Sequence, residues 1–185
     1  MLTTSPTLLG RLQQQPVPED WTRFVLLYTP LLLSWARRRG LEHDAEDVVQ
    51  ETLAHLIRAL PRYQRRDGQS FRSWLFRLAR NRAEDFRRSR ANRPLPRIEV
   101  AESAPGTPMD EPDDAEFRRH LVHRALELVR GDFSDVTWQA FTEVALGGRA
   151  PAEVAARMGL TLSAVYKARY RVVARLREEI GDALE

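Results

Sequence analysis

The sequence predicts an all-α protein: two small helical domains, residues 1–93 and 116–185, joined by a flexible acidic Pro-rich linker over 94–115. Three observations predict it. Every strongly periodic segment repeats its apolar residues at helical spacing, not strand spacing. Between residues 94 and 116 the periodicity stops, and Pro94, Pro96, Pro105, Pro108 and Pro112 gather there with seven acids. Such a stretch buries too little apolar surface to offset its chain entropy. Finally, a 43% hydrophobic content over 185 residues suits one or two modest cores.

The elements follow in chain order. Ser5 and Pro6 read as the N-cap and first position of a short helix ending near Gln14. A second helix over about 19–39 turns Trp21, Phe24, Val25, Tyr28, Leu31, Leu32 and Trp35 inward. Pro30 has no N–H for the helical ladder and predicts a kink or a split, and Gly40 ends the helix. The third helix opens at Asp44, carries Val48, Val49, Thr52, Leu53, Leu56 and Leu60 inward, and stops at Pro61. The fourth, over 71–90, buries Phe71, Trp74, Leu75, Leu78, Ala79 and Phe86. The second domain holds four segments, about 116–130, 135–146, 151–158 and 162–180, the last two parted by Gly159-Leu160-Thr161.

Charge is segregated along the chain. The net charge of +3 conceals −2 over residues 1–57, +10 over 58–97, −7 over 98–116 and +2 over 117–185. Lys167 is the sole lysine, so the cationic surface is made of arginine, which forks onto phosphates and stacks on flat rings. A block of +10 steers polyanions. The absence of cysteine excludes disulfides and thiolate metal sites. The N-terminus lacks the basic region of a signal peptide, and no run approaches the roughly 20 apolar residues that span a bilayer. The expectation is a cytoplasmic protein with no membrane partner.

Three faces carry chemistry. In the segment PAEVAARMGLTLSAVYKARYRVVARLREE, residues 151–179, Gly159 permits a sharp turn, Thr161 caps the next helix, and Val165, Ala168, Val172 and Leu176 face inward. This is a helix-turn-helix pattern, whose second helix enters the major groove of duplex DNA. Thr161, Ser163, Ala164, Tyr166, Lys167, Tyr170 and Arg171 are its candidate DNA-binding residues, within a basic run completed by Arg169, Arg175 and Arg177. On the fourth helix, Arg72, Phe76, Arg77, Arg80, Asn81, Arg87 and Arg88 lie opposite the core stripe. With Arg62, Tyr63, Arg65 and Arg66 of the preceding loop they suit single-stranded nucleic acid, whose bases stack on rings while its phosphates pass arginines. On the third helix, Asp47, Gln50, Glu51, Ala54 and Arg58 form a polar face suited to a basic protein partner. Its first-turn acids offset the helix dipole, but Gln50 and Glu51 lie beyond that turn.

A metal-dependent enzyme is the competing class. Asp47, Glu51 and His55 share one face, but a single helix rarely supplies a whole metal site. No phosphate-binding glycine loop or nucleophile elbow accompanies them. No catalytic residue, metal ligand or cofactor is assigned. Glu99, Glu102, Asp110, Glu111, Asp113, Asp114 and Glu116 of the linker have two readings: they keep a tether soluble, or they lie in a basic channel as an anionic stand-in for nucleic acid.

The stretch DAEDVVQETLAHLIRALPRY followed by SFRSWLFRLARNRAEDFRRSR resembles region 2 of bacterial sigma-70 family sigma factors, and the C-terminal helix-turn-helix resembles region 4. Two domains on a short linker, without counterparts of regions 1.1 and 3, resemble the extracytoplasmic-function group. The resemblance implies a region 2 helical bundle and a region 4 helix-turn-helix. It implies that Asp47, Gln50 and Glu51 meet the β′ clamp helices of core RNA polymerase, with the β flap as a further polymerase contact. It implies that residues 61–90 capture the −10 element as a single strand, that helix 162–178 reads duplex DNA at −35, and that an anti-sigma factor is a candidate regulator. Ala168, Tyr166 and Arg169 depart from residues common in the family, so no −35 sequence preference carries over. Residues 1–18 fall outside the firm match. The alternative is a helix-turn-helix regulator acting without polymerase, which needs a dimer face to match a palindromic site.

Overall fold

A computed structural model of the chain describes residues 7–64, 70–91 and 114–184. Regular structure among these residues is helical throughout: α1 (Leu8–Gln14), α2 (Pro18–Arg38), α3 (Ala45–Ala59), α4 (Phe71–Ala91), α5 (Asp114–Val129), α6 (Asp135–Ala145), α7 (Pro151–Met158) and α8 (Leu162–Leu184), with 3₁₀ turns at Leu60–Arg62 and Arg130–Asp132. The all-α class is as expected. Ser5, Pro6, Arg65, Arg66 and the linker through Asp113 lie outside the described residues.

Local chemistry explains most of the ends. Thr7 caps α1, its hydroxyl accepting from Gly10 N–H at 3.2 Å. Asp20 receives Arg11 Nε at 2.8 Å and the Val17 N–H at 3.5 Å, so one buried carboxylate ties α1 to the start of α2. Gly40 leaves α2 at φ +72°. Pro30 does not split α2, which runs through it as one helix. Burial of Leu27, Tyr28, Leu31 and Leu32 around that point outweighs the proline's cost of about 3 kcal/mol. Val25, expected inward, is exposed.

Two cores form. The smaller joins Ala140 of α6, Val154 and Ala155 of α7, and Val165 and Ala168 of α8. The larger gathers α1, α2, α3 and α4 around Leu12, Phe24, Leu27, Tyr28, Leu56 and Leu75. Phe24 stacks on Tyr28 at 4.4 Å between ring centroids, and Phe71 meets Tyr28 edge-on at 5.7 Å. The larger core also takes in Phe117, Leu121 and Ala125 of α5, with Ile180 and Ala183 of α8. Sequence patterning places a boundary near residues 93–116, and packing crosses it. Asp114 and Glu116, assigned to the linker's acidic run, open α5 instead. At 23 residues α8 is about 35 Å long. Its first half completes the small core and its end reaches the large one.

An ion lattice crosses the same junction. The Glu179 side chain on α8 has no solvent exposure and meets Arg23 Nε of α2 at 2.8 Å and Arg175 Nη1 at 2.6 Å. Asp132 joins both arginines, at 3.5 Å from Arg23 and 2.9 Å from Arg175. Burial opposes the charge on Arg175, but Glu179 and Asp132 outweigh it and hold the guanidinium pKa above its ordinary value. Truncating one partner of such a group leaves a buried charge uncompensated, at about 3–5 kcal/mol.

Leu12 of α1 is fully buried, and α1 packs on both α2 and α8. Leu12→Ala is expected to lower unfolding free energy by about 2–5 kcal/mol in urea titration, and to raise amide exchange at the end of α8 as well as in α2. Exchange rising in α2 alone would contradict the shared core.

Candidate nucleic-acid interface

The α3 face stands as its spacing requires. Asp47, Gln50, Glu51, Ala54 and Arg58 are all exposed, while Val48, Val49, Thr52 and Leu56 are buried behind them. Steps of three and four residues align these positions in one stripe. Ile57, 48% exposed, adds an apolar patch near its C-terminal end that the sequence reading did not select. His55 is half-buried beside the stripe. Burial first, then the charges of Arg82 and Arg58, hold its pKa below the ordinary histidine value.

The α4 face is cationic, but not in the expected form. Arg77, Arg80, Asn81, Arg87 and Arg88 are exposed along the helix, as is Arg62 before it. Arg88 faces Glu84 at 3.6 Å and Asp85 at 4.0 Å. Arg87 donates to the Arg39 carbonyl. Arg39, unselected from sequence because its helix reads as a core element, completes a basic cluster. Burial, then the Arg87 and Arg80 charges, pull its pKa below the usual guanidinium value against the opposing pull of Glu84. Its guanidinium lies 5.0 Å from the Trp35 ring centroid. Crowded like charges of this kind are relieved by an incoming phosphate.

Phe76 departs from expectation most sharply. It is only 3% exposed. Trp35 of α2 covers it at 5.9 Å between centroids, and Phe117 of α5 meets it at 5.9 Å in T-shaped geometry. The physical reason is the long α2–α5 packing, invisible in a reading that treats residues 116–185 as a separate body. Arg72 is likewise drawn in: its side chain is 15% exposed, its Nε lies 3.3 Å from Asp114, and its guanidinium stands 5.9 Å from the Phe117 ring. Tyr63 is half-buried in an aromatic group with Trp74 at 4.6 Å and Phe71 at 5.6 Å, and its carbonyl accepts from Gln13 Nε2 at 2.7 Å. Arg65 and Arg66 lie outside the described residues.

The helix-turn-helix forms as its residues dictate. Pro151 starts α7, Gly159 ends it in the left-handed region at φ +66°, and the Thr161 hydroxyl accepts from Ala164 N–H at 3.1 Å. An ion pair between Arg157 and Glu143 ties α7 to α6. Thr161, Ser163, Tyr166, Lys167, Tyr170 and Arg171 are exposed and Ala164 is half-buried. Leu162, Ser163, Tyr166, Lys167 and Tyr170 line a shallow concavity, in which Leu162 was not foreseen. Arg169, Arg171 and Arg177 are exposed, but Arg175, placed in the basic run, turns away into the Glu179–Asp132 lattice.

Residues 24–93 match the sigma-70 region 2 family, a span that contains α3, α4 and most of α2. The chain is also 45% identical over 67 residues to the ECF RNA polymerase sigma factor SigG of Mycobacterium tuberculosis, in each of two strains. Over this span the chain is similar to sigma-70 region 2 and to an ECF sigma factor. The alignment covers 36% of this chain and 17% of the length of those relatives. The exposed α3 stripe and the α4 arginines both fall inside the matched span. Among the described residues no helix is long and apolar enough to cross a membrane.

Phe76→Ala removes a buried ring packed against Trp35 and Phe117. It is expected to lower stability by about 3–5 kcal/mol, read as a shifted denaturation midpoint. A midpoint within error of wild type would mean that the ring is not buried in solution.

Proposed function

We propose that this chain is an alternative sigma factor: it binds core RNA polymerase, reads the duplex at −35 with α8, and stabilises the opened −10 region with the arginines of α4. The supporting observation is that residues 24–93, matched to sigma-70 region 2, hold an exposed polar stripe on α3 beside the exposed arginine face of α4. On this reading Asp47, Gln50, Glu51, Ala54 and Arg58 meet the β′ clamp helices, and the second half of the chain carries the β flap contact. Thr161, Ser163, Tyr166, Lys167, Tyr170 and Arg171 enter the major groove at −35.

Strand capture at −10 runs on two terms. Arg77, Arg80, Arg87 and Arg88 with Arg39 neutralise phosphates, and rings beside them stack displaced bases at about 1–3 kcal/mol each. Tyr63 and Trp74, both half-buried, are candidate rings for this. The protein supplies positioning and leaves the chemistry of initiation to polymerase, so no side chain is given a catalytic role. The cytoplasm is its place of action, and an anti-sigma factor fits as the kind of partner that controls it.

Run-off transcription with purified core polymerase and a promoter library is expected to show initiation dependent on this protein. No core-dependent initiation on any template would sink the reading. Gln50→Ala combined with Glu51→Ala is expected to weaken core binding roughly tenfold, about 1.4 kcal/mol, with duplex −35 binding unchanged. Lys167→Ala is expected to weaken duplex binding and reduce its salt slope by about one. Equal loss of both activities in the α3 variant would show that the faces are misassigned.

A further inference from the structure

We propose that the outer face of α8 selects thymine-bearing base pairs, with Leu162 and Tyr166 packed on thymine 5-methyl groups in the major groove. The inference deepens the duplex-reading role proposed above and rests on it. Leu162 is 45% exposed, Tyr166 51% and Tyr170 74%, and they form one row at i, i+4 and i+8. With Ser163 and Lys167 they line the shallow concavity on this face. A contiguous exposed apolar row marks a contact surface. Its surroundings identify the occupant. Residues 154–177 hold six basic side chains and no acid, a border that suits a polyanion. The Gly159 turn and the Thr161 cap place Leu162 and Tyr166 in the first turns of the second helix of the helix-turn-helix, the part that meets base edges.

What these residues can read follows from their chemistry. Bidentate recognition takes arginine or lysine for guanine, asparagine or glutamine for adenine, and a carboxylate for cytosine. Residues 160–166 contain none of these. Serine and threonine hydroxyls bond several edges and discriminate weakly. The apolar feature of the major-groove edges is the thymine 5-methyl. Val165 and Ala168 are held in the small core, so α8 cannot roll to present another face. Lys167, exposed beside Tyr166, is left as a point donor to a guanine edge or a phosphate. Leu162 and Tyr166 stand about 6 Å apart along the helix axis. That is close to two base steps of about 3.4 Å, so the contacted methyls lie on near-neighbouring pairs.

The test begins with enrichment of a random duplex pool on the full chain, alone and with core polymerase. The preferred duplex is then made with deoxyuridine in place of every thymine, which removes the methyl and keeps the pairing. A contacted methyl is expected to contribute about fourfold, so full replacement weakens binding roughly tenfold in fluorescence anisotropy. Replacement one thymine at a time is expected to place the loss at near-neighbouring positions. Leu162→Ser with Tyr166→Ser, both at exposed positions, is expected to bind the thymine and deoxyuridine duplexes equally, with helical content unchanged. Tyr166→Phe is expected to keep the thymine preference. A preference surviving in the double-serine variant would trace it to duplex stiffness and overturn the proposal. Equal binding of both duplexes by the wild type would do the same. No preferred duplex in either enrichment would assign the row to a protein partner and overturn it too. A thymine-methyl preference in a chain that supports no core-dependent initiation would remove the sigma reading and leave the duplex-reading inference in place.

Discussion

A buried carboxylate near the end of α8 organises this molecule. Glu179 has no exposed side-chain surface, and a carboxylate in that position must be met by cations. One comes from its own helix, Arg175 at i−4; the other is Arg23, more than 150 residues earlier in the chain. Asp132 then shares both arginines. The four groups fix the end of α8 against α2 with no net charge. Once that contact is made, Ile180 and Ala183 fall into the core of α1–α4, and α5 is carried over α2 and α4.

The placement of α5 decides what the cationic face can do. Arg77, Arg80, Arg87 and Arg88 stay at the surface, where charge steers and holds a polyanion. Arg72 and Phe76 are covered. The face is therefore divided into an exposed cationic part and a covered part. The α3 stripe and the helix-turn-helix surface remain exposed in the same conformation.

Much of this was legible from residues. All eight helices were anticipated, with ends within a few residues, because caps, prolines and glycines act locally: Thr161 caps α8, Gly159 turns, and Pro61 ends α3 in a 3₁₀ turn. The α3 stripe was legible because polar residues at helical spacing opposite an apolar stripe have one way to face. The misreadings share a cause. Phe76 and Arg175 were judged from their own helices, and each is decided by a partner distant in sequence: Phe117 and Asp132. Arg39 was missed because its neighbours Arg80 and Arg87 lie on another helix. Helical spacing reports which residues share a face, and a single helix carries no record of what covers that face.

The central claim is that both halves of the chain share one core in the free protein. The most direct test is a spin-label distance between cysteines introduced at Glu42, beyond the end of α2, and Ala152, on α7, both exposed. The account predicts one narrow distance population in the free protein. A broad distribution in the free protein, as two bodies on a loose tether would give, would contradict it.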